Sequence, residues 1–315
     1  MIGANHTLTP GYVARHVPAG SNIGLDIAVL DIAEDFLLAH LVELGIVGEL
    51  LVFKGGTALR KLYAGADGRF STDLDFAATE PTADRRALAE LVAVEAATQL
   101  GPFRFESSES RGRWHVRVTS SFVNPAISIK VDIGPPCWLV PEERSFVPHP
   151  THRRYGFELP PLVSVRLEEI LAEKIARLTR SATARDASDL VWVATTAPHF
   201  EFSKDLVRSL AVLKVWVDNH GLGPAWSQAL SPRPFAPDAW FSPRTRWDDE
   251  QIGLLSQPPP SLSELEAELH RLYGWLRELT EEEQRWAGAD ARDRSDVLRA
   301  LRSLDGSALA GWHLW

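Results

Sequence analysis

Phe53-Lys54-Gly55-Gly56-Thr57-Ala58-Leu59-Arg60 and Arg69-Phe70-Ser71-Thr72-Asp73-Leu74-Asp75-Phe76 are the most informative segments of this 315-residue chain. Gly55 and Gly56 predict a tight turn whose backbone amides a phosphate can approach, because no side chain covers them. Asp73 and Asp75 are spaced i, i+2, which puts both carboxylates on one face of a strand. An acid pair beside such a turn predicts a site for a magnesium-bound nucleoside triphosphate.

The residues around the turn predict a strand over 50–53, a helix over 57–63 and a second strand over 72–78. Thr57 can cap that helix, and its free N–H groups would attract anions. Lys54 and Arg60 flank the turn, and we expect both to bind the nucleotide. Two alternatives stay open at this point. Gly-Gly-Thr alone is more often a simple strand-to-helix turn, and alternating acids also mark an ordinary amphipathic strand.

The rest of the chain predicts a mixed α+β fold. Helices are expected over 25–44 and 85–100, and strand-like runs at 103–106, 114–121 and 126–133. After residue 160 helical patterns dominate, over 166–180, 187–194, 204–217 and 295–304, with another helix starting in a capping box of Ser263 and Glu266. We therefore predict an N-terminal domain over 1–155 and a helical domain over 156–315, with a proline-rich connecting segment near 231–260.

Composition excludes several classes of protein. Hydrophobic residues make up 45% and charged residues 24%, which is ordinary for a globular chain. The net charge of -9 means that a polyanion would need a local basic patch. Cys137 is the single cysteine, so no internal disulfide forms and a cytoplasmic location fits. We expect no signal peptide and no membrane span. Zinc, Walker-loop and dinucleotide motifs are absent from the sequence.

Asp132 is a candidate for a third acid of the site. Ile129-Lys130-Val131-Asp132-Ile133 alternates like a strand, so Lys130 and Asp132 share one face. Asp132 completes a carboxylate cluster if this strand lies beside the strand of Asp73 and Asp75. An exposed Lys and Asp on an edge strand explain the pattern about equally well.

The two opening segments resemble the signature of the AbiEii / MenT-like nucleotidyltransferase toxins, within the DNA polymerase beta-like nucleotidyltransferase superfamily. A second match follows in the same order. Leu167-Glu168-Glu169-Ile170-Leu171-Ala172-Glu173-Lys174-Ile175-Ala176-Arg177 is similar to a helix of the family, and Arg185-Asp186-Ala187-Ser188-Asp189-Leu190 is similar to the element after it. The resemblance covers roughly residues 50 to 195.

The resemblance implies a polymerase-beta-like domain followed by a helical domain that carries the second half of the active site. It implies transfer of a nucleoside monophosphate from an NTP, CTP or another, to a tRNA 3′ end, which blocks translation. Asp73 and Asp75 would hold Mg²⁺, and Gly55, Gly56 and Thr57 would hold phosphate, with Ser71 at a matching family position beside them. The resemblance also implies a cognate antitoxin of the AbiEi type. A same-fold enzyme acting on a protein or small molecule, and a non-catalytic binding protein, are the alternatives.

Lys174 stands inside an apolar helical stripe of Leu167, Ile170, Leu171, Ile175 and Leu178. Lysine is rarely buried without a partner, so its amine either snorkels to water or points into a site. The resemblance favours a contact with the NTP phosphates, with Asp189 pairing with Lys174 to orient it. We expect Asp186 to be an ordinary acid at a helix N-terminus.

A basic run of Lys174, Arg177, Arg180 and Arg185 is a candidate RNA-binding groove. Together with Arg111, Arg113 and Arg117, these residues could bind an RNA backbone on an otherwise acidic protein. A solvated helix face is at least an equal explanation for each arginine alone.

Overall fold

The computed structural model describes residues 2–18, 21, 23–196, 200–221, 233–241, 245–248 and 252–309. The chain divides into two compact units. Unit 1 contains residues 1–137, 141–165 and 253–258, and unit 2 contains residues 138–140, 166–252 and 259–315. The boundary predicted at 155/156 therefore falls inside unit 1, because a later strand joins its sheet and a distant segment of the chain returns to it.

Unit 1 contains one mixed sheet of eight strands. These are β1 (Leu51–Lys54), β2 (Asp73–Ala78), β3 (Gln99–Leu100), β4 (Phe103–Ser110), β5 (Arg113–Ser120), β6 (Val123–Gly134), β7 (Glu142–Arg144) and β8 (Leu162–Ser164). Their spatial order is β3-β4-β5-β6-β2-β1-β8-β7. β2 lies inside the sheet, antiparallel to β1 and parallel to β6. The strand of Asp132 is thus a direct neighbour of the strand of Asp73 and Asp75.

In its described residues, unit 1 contains the α-helices α1 (Pro10–Ala14), α2 (Leu25–Glu43), α3 (Gly55–Leu59) and α4 (Arg85–Glu95). α2 carries no glycine or proline inside it, and the chain turns away at Gly45, whose φ of 73° suits a residue without a side chain. α3 begins at Gly55 rather than at the predicted Thr57. It continues into a π-helical turn, Arg60–Ala64, so the glycines belong to the helix start itself.

The prediction of one helix over 85–100 is wrong in its second part. Asp84 caps α4 by accepting hydrogen bonds from the amides of Arg86 and Ala87, and the helix ends at Glu95. Gln99–Leu100 forms β3 instead, pairing with β4 across a turn at Gly101, which has a φ of 53°. Helix-forming residues there are overridden, because that hairpin supplies partners for the backbone groups.

Unit 2 is mostly helical. Its α-helices are α5 (Leu167–Leu178), α6 (Ala184–Thr196), α7 (Lys204–His220), α8 (Leu262–Leu272), α9 (Glu281–Gly288) and α10 (Arg294–Ser303). Two short strands, β9 (Ala182–Thr183) and β10 (Thr245–Arg246), pair in parallel. Mixed α+β structure with a helical second unit agrees with the predicted fold class.

Two predictions in the last third of the chain need correction. The capping box of α8 is Ser261 with Glu264, two residues before the predicted Ser263 and Glu266, because Ser261 is the residue whose backbone is still extended. The proline-rich segment is not only a connector. In its described part it forms β10, and its residues 253–258 pack in unit 1, where the Leu254 carbonyl accepts a hydrogen bond from the Phe70 amide at 2.8 Å.

No helix within the described ranges is long and apolar enough to cross a membrane. Trp216 and Trp240 are buried, whereas Trp226, Trp312 and Trp315 lie outside the described residues.

A buried charged network joins α2 to the turn after α3. The Asp31 carboxylate accepts hydrogen bonds from Arg60 Nε at 2.8 Å, from Lys61 Nζ at 3.0 Å and from His16 Nε2 at 2.6 Å. Burial raises the pKa of Asp31, but Arg60 and Lys61 outweigh it and hold that pKa well below its usual range. Every one of these side chains is buried. The network therefore fixes the residues that follow the Gly-Gly turn.

Glu34 lies in the same network, but its pKa is shifted in the opposite direction to that of Asp31. Its side chain is fully buried, and neither carboxyl oxygen has a hydrogen-bond partner among the described residues. Burial raises the pKa of Glu34 well above 4.5, opposed by Lys61 at 3.6 Å and reinforced by Asp31, Asp35 and Asp73. Burial therefore favours the neutral form of Glu34.

We expect Glu34→Gln to be increasingly stabilising, relative to the native chain, as pH rises above about 4.5. Native Glu34 keeps a proton that the unfolded chain loses above that pH, so its contribution to stability falls as pH rises toward the folded pKa. Glutamine has no such proton, and the difference in unfolding free energy should grow by at most about 1.4 kcal/mol per pH unit. Urea unfolding at pH 5 and pH 8 measures it. Glu43→Gln, an exposed change on the same helix, is the control, and parallel pH curves for all three proteins would contradict the prediction.

Candidate active site

Three neighbouring strands put a lysine and two aspartates in one row. Lys54 on β1 lies opposite Asp75 on β2, and Asp75 lies opposite Asp132 on β6. Residues directly opposite each other in a sheet have Cβ atoms about 5 Å apart and point to the same face. Leu74 and Phe76, on the other face, are fully buried, while Asp73 and Asp75 are half-buried. The acid pair therefore opens on the face that also carries Lys54 and Asp132.

The Gly-Gly turn packs directly on this row. Gly55 has a φ of +83°, and a methyl group built on it would overlap the Asp75 carboxylate. A methyl group on Gly56 would overlap the guanidinium of Arg69. The Thr57 hydroxyl donates a hydrogen bond of 2.6 Å to the Asp73 carbonyl. Glycine is thus required at 55 both for backbone conformation and for the close approach of the turn to an acid of the pair.

Arg69 is a site residue that the sequence interpretation missed. Its guanidinium lies over Gly56, and its Nη1 donates to the Phe70 carbonyl at 2.9 Å. The side chain is half-buried, so a fixed positive charge adjoins the turn that is the candidate phosphate site. The signal was present, because Arg69 belongs to the second quoted segment. Only the fold shows that it reaches back to the glycines.

Arg60 does not fit the predicted nucleotide-binding role. Its side chain is only 4% exposed, it binds Asp31, and its Cζ stacks 3.6 Å from the centre of the Phe70 ring. Thr57 is also buried, and its hydroxyl is used by Asp73, so only its backbone N–H could hold phosphate. Ser71 is 5% exposed at the start of β2. The side chains of Arg60 and Thr57 therefore support the turn rather than line the site.

The predicted cluster of three acids does not form. Asp132 lies beside Asp75 as expected, but its carboxylate binds the ammonium of Lys130. Among the residues described, no group of three or more His, Cys, Asp or Glu side chains is arranged to hold a metal ion. The pair of Asp73 and Asp75 still fits magnesium, because Mg²⁺ prefers hard oxygen ligands and is usually bound by one or two carboxylates plus substrate phosphates.

Lys174 of unit 2 is buried with two acids rather than one. Its Nζ donates to Asp186 at 3.0 Å and to Asp189 at 2.7 Å, and all three side chains are at most 6% exposed. Asp186 also accepts hydrogen bonds from Thr183 and Arg177. The expected pairing with Asp189 is present. Asp186 lies in the first turn of α6, as expected, and its carboxylate is in addition a partner of Lys174.

The basic run around Lys174 does not form a free cationic groove. Arg177 binds Asp186, and Arg180 binds Asp218 at 3.0 Å. Lys174 itself is buried. Arg111, Arg113 and Arg117 are exposed in unit 1, at the hairpin between β4 and β5. The arginines of unit 1 are therefore the more available cations.

Glu169 of the second motif makes structural contacts in the described fold. Glu169 is fully buried and accepts hydrogen bonds from the amides of Trp138 and Leu139 and from Lys214 Nζ at 2.9 Å. Burial lowers the pKa of Lys214, but Glu169 and Glu173 outweigh it and raise that pKa. Glu169 of α5 thus binds both the backbone at residues 138–139 and Lys214 of α7.

Comparisons with known proteins show the family to which the chain is similar. The family model described as nucleotidyl transferase AbiEii toxin, Type IV TA system, matches residues 37–287. The structure of MenT4, nucleotidyltransferase toxin Rv2826c from Mycobacterium tuberculosis H37Rv, is 34% identical, with a TM-score of 0.76, covering 94% of this chain and 99% of that one. The structure of JHP933 from Helicobacter pylori is 19% identical, with a TM-score of 0.44, covering 89% and 100% of the two chains. No curated protein matched the chain.

Proposed function

The chain belongs to the AbiEii family of nucleotidyltransferase toxins, and on that premise we propose that it transfers a nucleoside monophosphate from an NTP to the 3′ end of tRNA. The acceptor hydroxyl oxygen bonds to the α-phosphorus, the bond to the β-phosphate bridging oxygen breaks, and pyrophosphate and a proton leave. Extension of the 3′ end would prevent aminoacylation and so stop translation. CTP or another NTP is the donor.

One observation carries this proposal: a glycine turn packs against one acid of an i, i+2 pair and is hydrogen-bonded to the other. Gly55 touches the Asp75 carboxylate, and Thr57 binds the Asp73 carbonyl. Amides that can hold phosphate and carboxylates that can hold a cation therefore adjoin on one face. A triphosphate needs both, because its oxygens bind metal and N–H donors together.

Each residue is given a role in the proposal. Asp73 and Asp75 hold Mg²⁺, which when bound supplies positive charge to the reacting phosphate and the departing pyrophosphate. The amides of Gly55 and Gly56, with Lys54 and Arg69, bind phosphate oxygens. Arg60 does not belong to this set, because its guanidinium binds Asp31. Asp132 has only an auxiliary role, as the acid that lies opposite Asp75. Ser71 stays a candidate for a phosphate contact at the start of β2.

Lys174 of unit 2 is proposed to contact the triphosphate, with Asp189 orienting its amine. A lysine held by two carboxylates has a fixed position, and an incoming phosphate can take the place of one of them. Breaking one ion pair and forming another keeps the charge of the ammonium compensated.

The partners follow from the family. A Type IV toxin–antitoxin system includes an antitoxin, and we propose one of the AbiEi type. The tRNA acceptor is proposed from the resemblance of the two motifs to the MenT-like group. Both tRNA and antitoxin are met in the cytoplasm, where we expect this protein to act.

Incubation with each labelled NTP in turn, Mg²⁺ and total tRNA tests the proposal. We expect label from one or two NTPs to enter tRNA, mass analysis to show the added nucleotides at the 3′ end, and chelation of Mg²⁺ to abolish transfer. Label that enters protein or a small molecule, but not RNA, would indicate the same-fold alternative. Failure to bind Mg²⁺-NTP would indicate a non-catalytic protein.

A further inference from the structure

Residues 253–258, here called the brace, contact the loop that carries Arg69. Arg69 and its neighbours, just before β2, have no helical or strand structure, so no regular backbone ladder fixes them. Gly68 is buried, and its carbonyl accepts hydrogen bonds from the Ser256 hydroxyl of the brace and from Arg60 Nη1. Because a buried carbonyl must be paired, these two donors fix the backbone on the N-terminal side of Arg69.

The brace also fixes the other side of Arg69. The Leu254 carbonyl accepts a hydrogen bond of 2.8 Å from the Phe70 amide. The side chains of these two residues pack with Ile23 in one buried cluster, and the Cζ of Arg60 lies 3.6 Å from the centre of the Phe70 ring. Phe70 is fully buried, so its backbone cannot shift without disrupting this packing. Arg69 is therefore a half-buried residue between two neighbours whose positions are fixed.

The position of Arg69 matters because its guanidinium lies over the Gly-Gly turn. A methyl group built on Gly56 would overlap that guanidinium, and Nη1 donates to the Phe70 carbonyl at 2.9 Å. A guanidinium binds phosphate oxygens through N–H donors in a rigid planar fork, so the strength of binding depends on where that plane lies. An arginine on an unsupported loop would lose conformational freedom when it binds, and that loss weakens affinity. The brace restricts this freedom before any ligand binds.

We propose that the brace is a positioning segment for the donor nucleotide, in which Ser256 and Leu254 hold Arg69 where its guanidinium binds the phosphates of Mg²⁺-NTP. The inference rests on the proposed use of an NTP. It assigns a role to a segment that lies outside both sequence motifs. Ser256 and Leu254 act through Arg69 rather than on the nucleotide itself.

The experiment measures the Kd of a fluorescent NTP with Mg²⁺ for variants of the full chain, with each ribonucleoside triphosphate in turn. Arg69→Met should raise this Kd roughly tenfold or more, because a hydrogen bond between charged groups is lost. Ser256→Ala and Leu254→Ala should each raise it about threefold to tenfold, the change that corresponds to one ordinary hydrogen bond. Ser256→Thr keeps the hydroxyl and should restore nearly native affinity. Ser303→Ala, which removes a similar hydroxyl-to-carbonyl bond at the end of α10, is the control and should change nothing.

A double-mutant cycle separates positioning from general damage to the fold. If the brace acts through Arg69, Ser256→Ala and Leu254→Ala should have almost no effect on the Kd in a chain that already carries Arg69→Met. Equal effects with and without Arg69 would mean that the brace only stabilises the fold, which overturns the proposal. Urea unfolding identifies a variant that fails to fold. Ser256→Ala removes one half-buried hydroxyl, so it decides the question if Leu254→Ala does not fold.

The outcomes separate the brace from the proposed transfer. Transfer to tRNA with a native Kd for Mg²⁺-NTP in the brace variants overturns the brace and leaves the proposed function standing. A raised Kd in the brace variants of a protein that adds nothing to tRNA supports the brace and overturns the choice of acceptor. In a protein that does transfer, the brace variants should raise the KM for NTP in step with the Kd and leave the KM for tRNA unchanged. A raised KM for tRNA alone would overturn the assignment of the brace to the donor.

Discussion

Asp73→Asn and Asp75→Asn are each expected to lower the rate of nucleotide transfer by about 1,000-fold or more. An amide cannot supply the negative charge that holds Mg²⁺, and a bound metal contributes several kcal/mol of charge stabilisation in the transition state. Because each ~1.4 kcal/mol is a factor of ten in rate, the loss of one ligand should reach three orders of magnitude. Both side chains are half-buried on the open face of β2, so the fold should survive the change.

The control is Glu143→Gln, the same change of acid to amide on an exposed position of the same sheet. It should keep full activity. Asp132→Asn should lie between, with a loss of roughly tenfold to a hundredfold, because its carboxylate already binds Lys130 and acts beside the pair rather than in it. Single-turnover experiments with labelled NTP measure the rate of nucleotide transfer in these four variants and in the native chain. Native rates in Asp73→Asn, with circular dichroism unchanged, would remove the acid pair from the proposed chemistry.

Lys174→Met should cost about 3–5 kcal/mol of unfolding free energy, the range measured when one partner of a buried ion pair is removed. The variant leaves the carboxylates of Asp186 and Asp189 buried without the amine that both now contact. Arg177 and Thr183 still reach Asp186, so its carboxylate stays partly compensated. Activity should also disappear if this amine contacts the triphosphate.

Two further variants separate stability from the proposed reaction. Lys204→Met, at the exposed start of α7, is the matched control and should leave urea unfolding unchanged. The double variant Lys174→Met with Asp189→Asn should recover part of the stability, because it removes one of the two buried carboxylates that lose the amine, and should recover no activity. A cost below about 1 kcal/mol for Lys174→Met would mean that the ion pair contributes no more than a surface pair.

Sequence reasoning succeeded where a local pattern determines the outcome. Alternation in β2 predicted which residues face the core, since Leu74 and Phe76 are buried and the aspartates are not. The order of the two motifs predicted the family and the fold class, and both are confirmed. The stripe on α5 predicts apolar neighbours for Lys174, and the predicted pairing with Asp189 is present at 2.7 Å.

Partners set by distant parts of the chain could not be predicted in the same way. Its position after the glycines predicts that Arg60 is a phosphate ligand, but its guanidinium forms an ion pair with Asp31 of α2. The alternating pattern predicts that Lys130 and Asp132 share a face of the strand. It does not predict their ion pair, because that contact depends on how far the two side chains reach. Likewise, Arg69 meets Gly56 only because the chain folds back between α3 and β2. Periodicity defines faces, whereas contacts depend on the packing of whole elements.

The return of residues 253–258 to unit 1 bears on how the protein is made. Phe70 lies two residues before Thr72 and packs with Ile23 and Leu254 in one buried cluster, and its amide donates to the Leu254 carbonyl. During synthesis the first 165 residues leave the ribosome long before Leu254 does, and domains generally fold as they emerge. This cluster therefore closes only after most of the chain has been translated. For a member of a toxin family, the delay sets the time at which a nascent chain can first complete the packing next to the strand of Asp73 and Asp75.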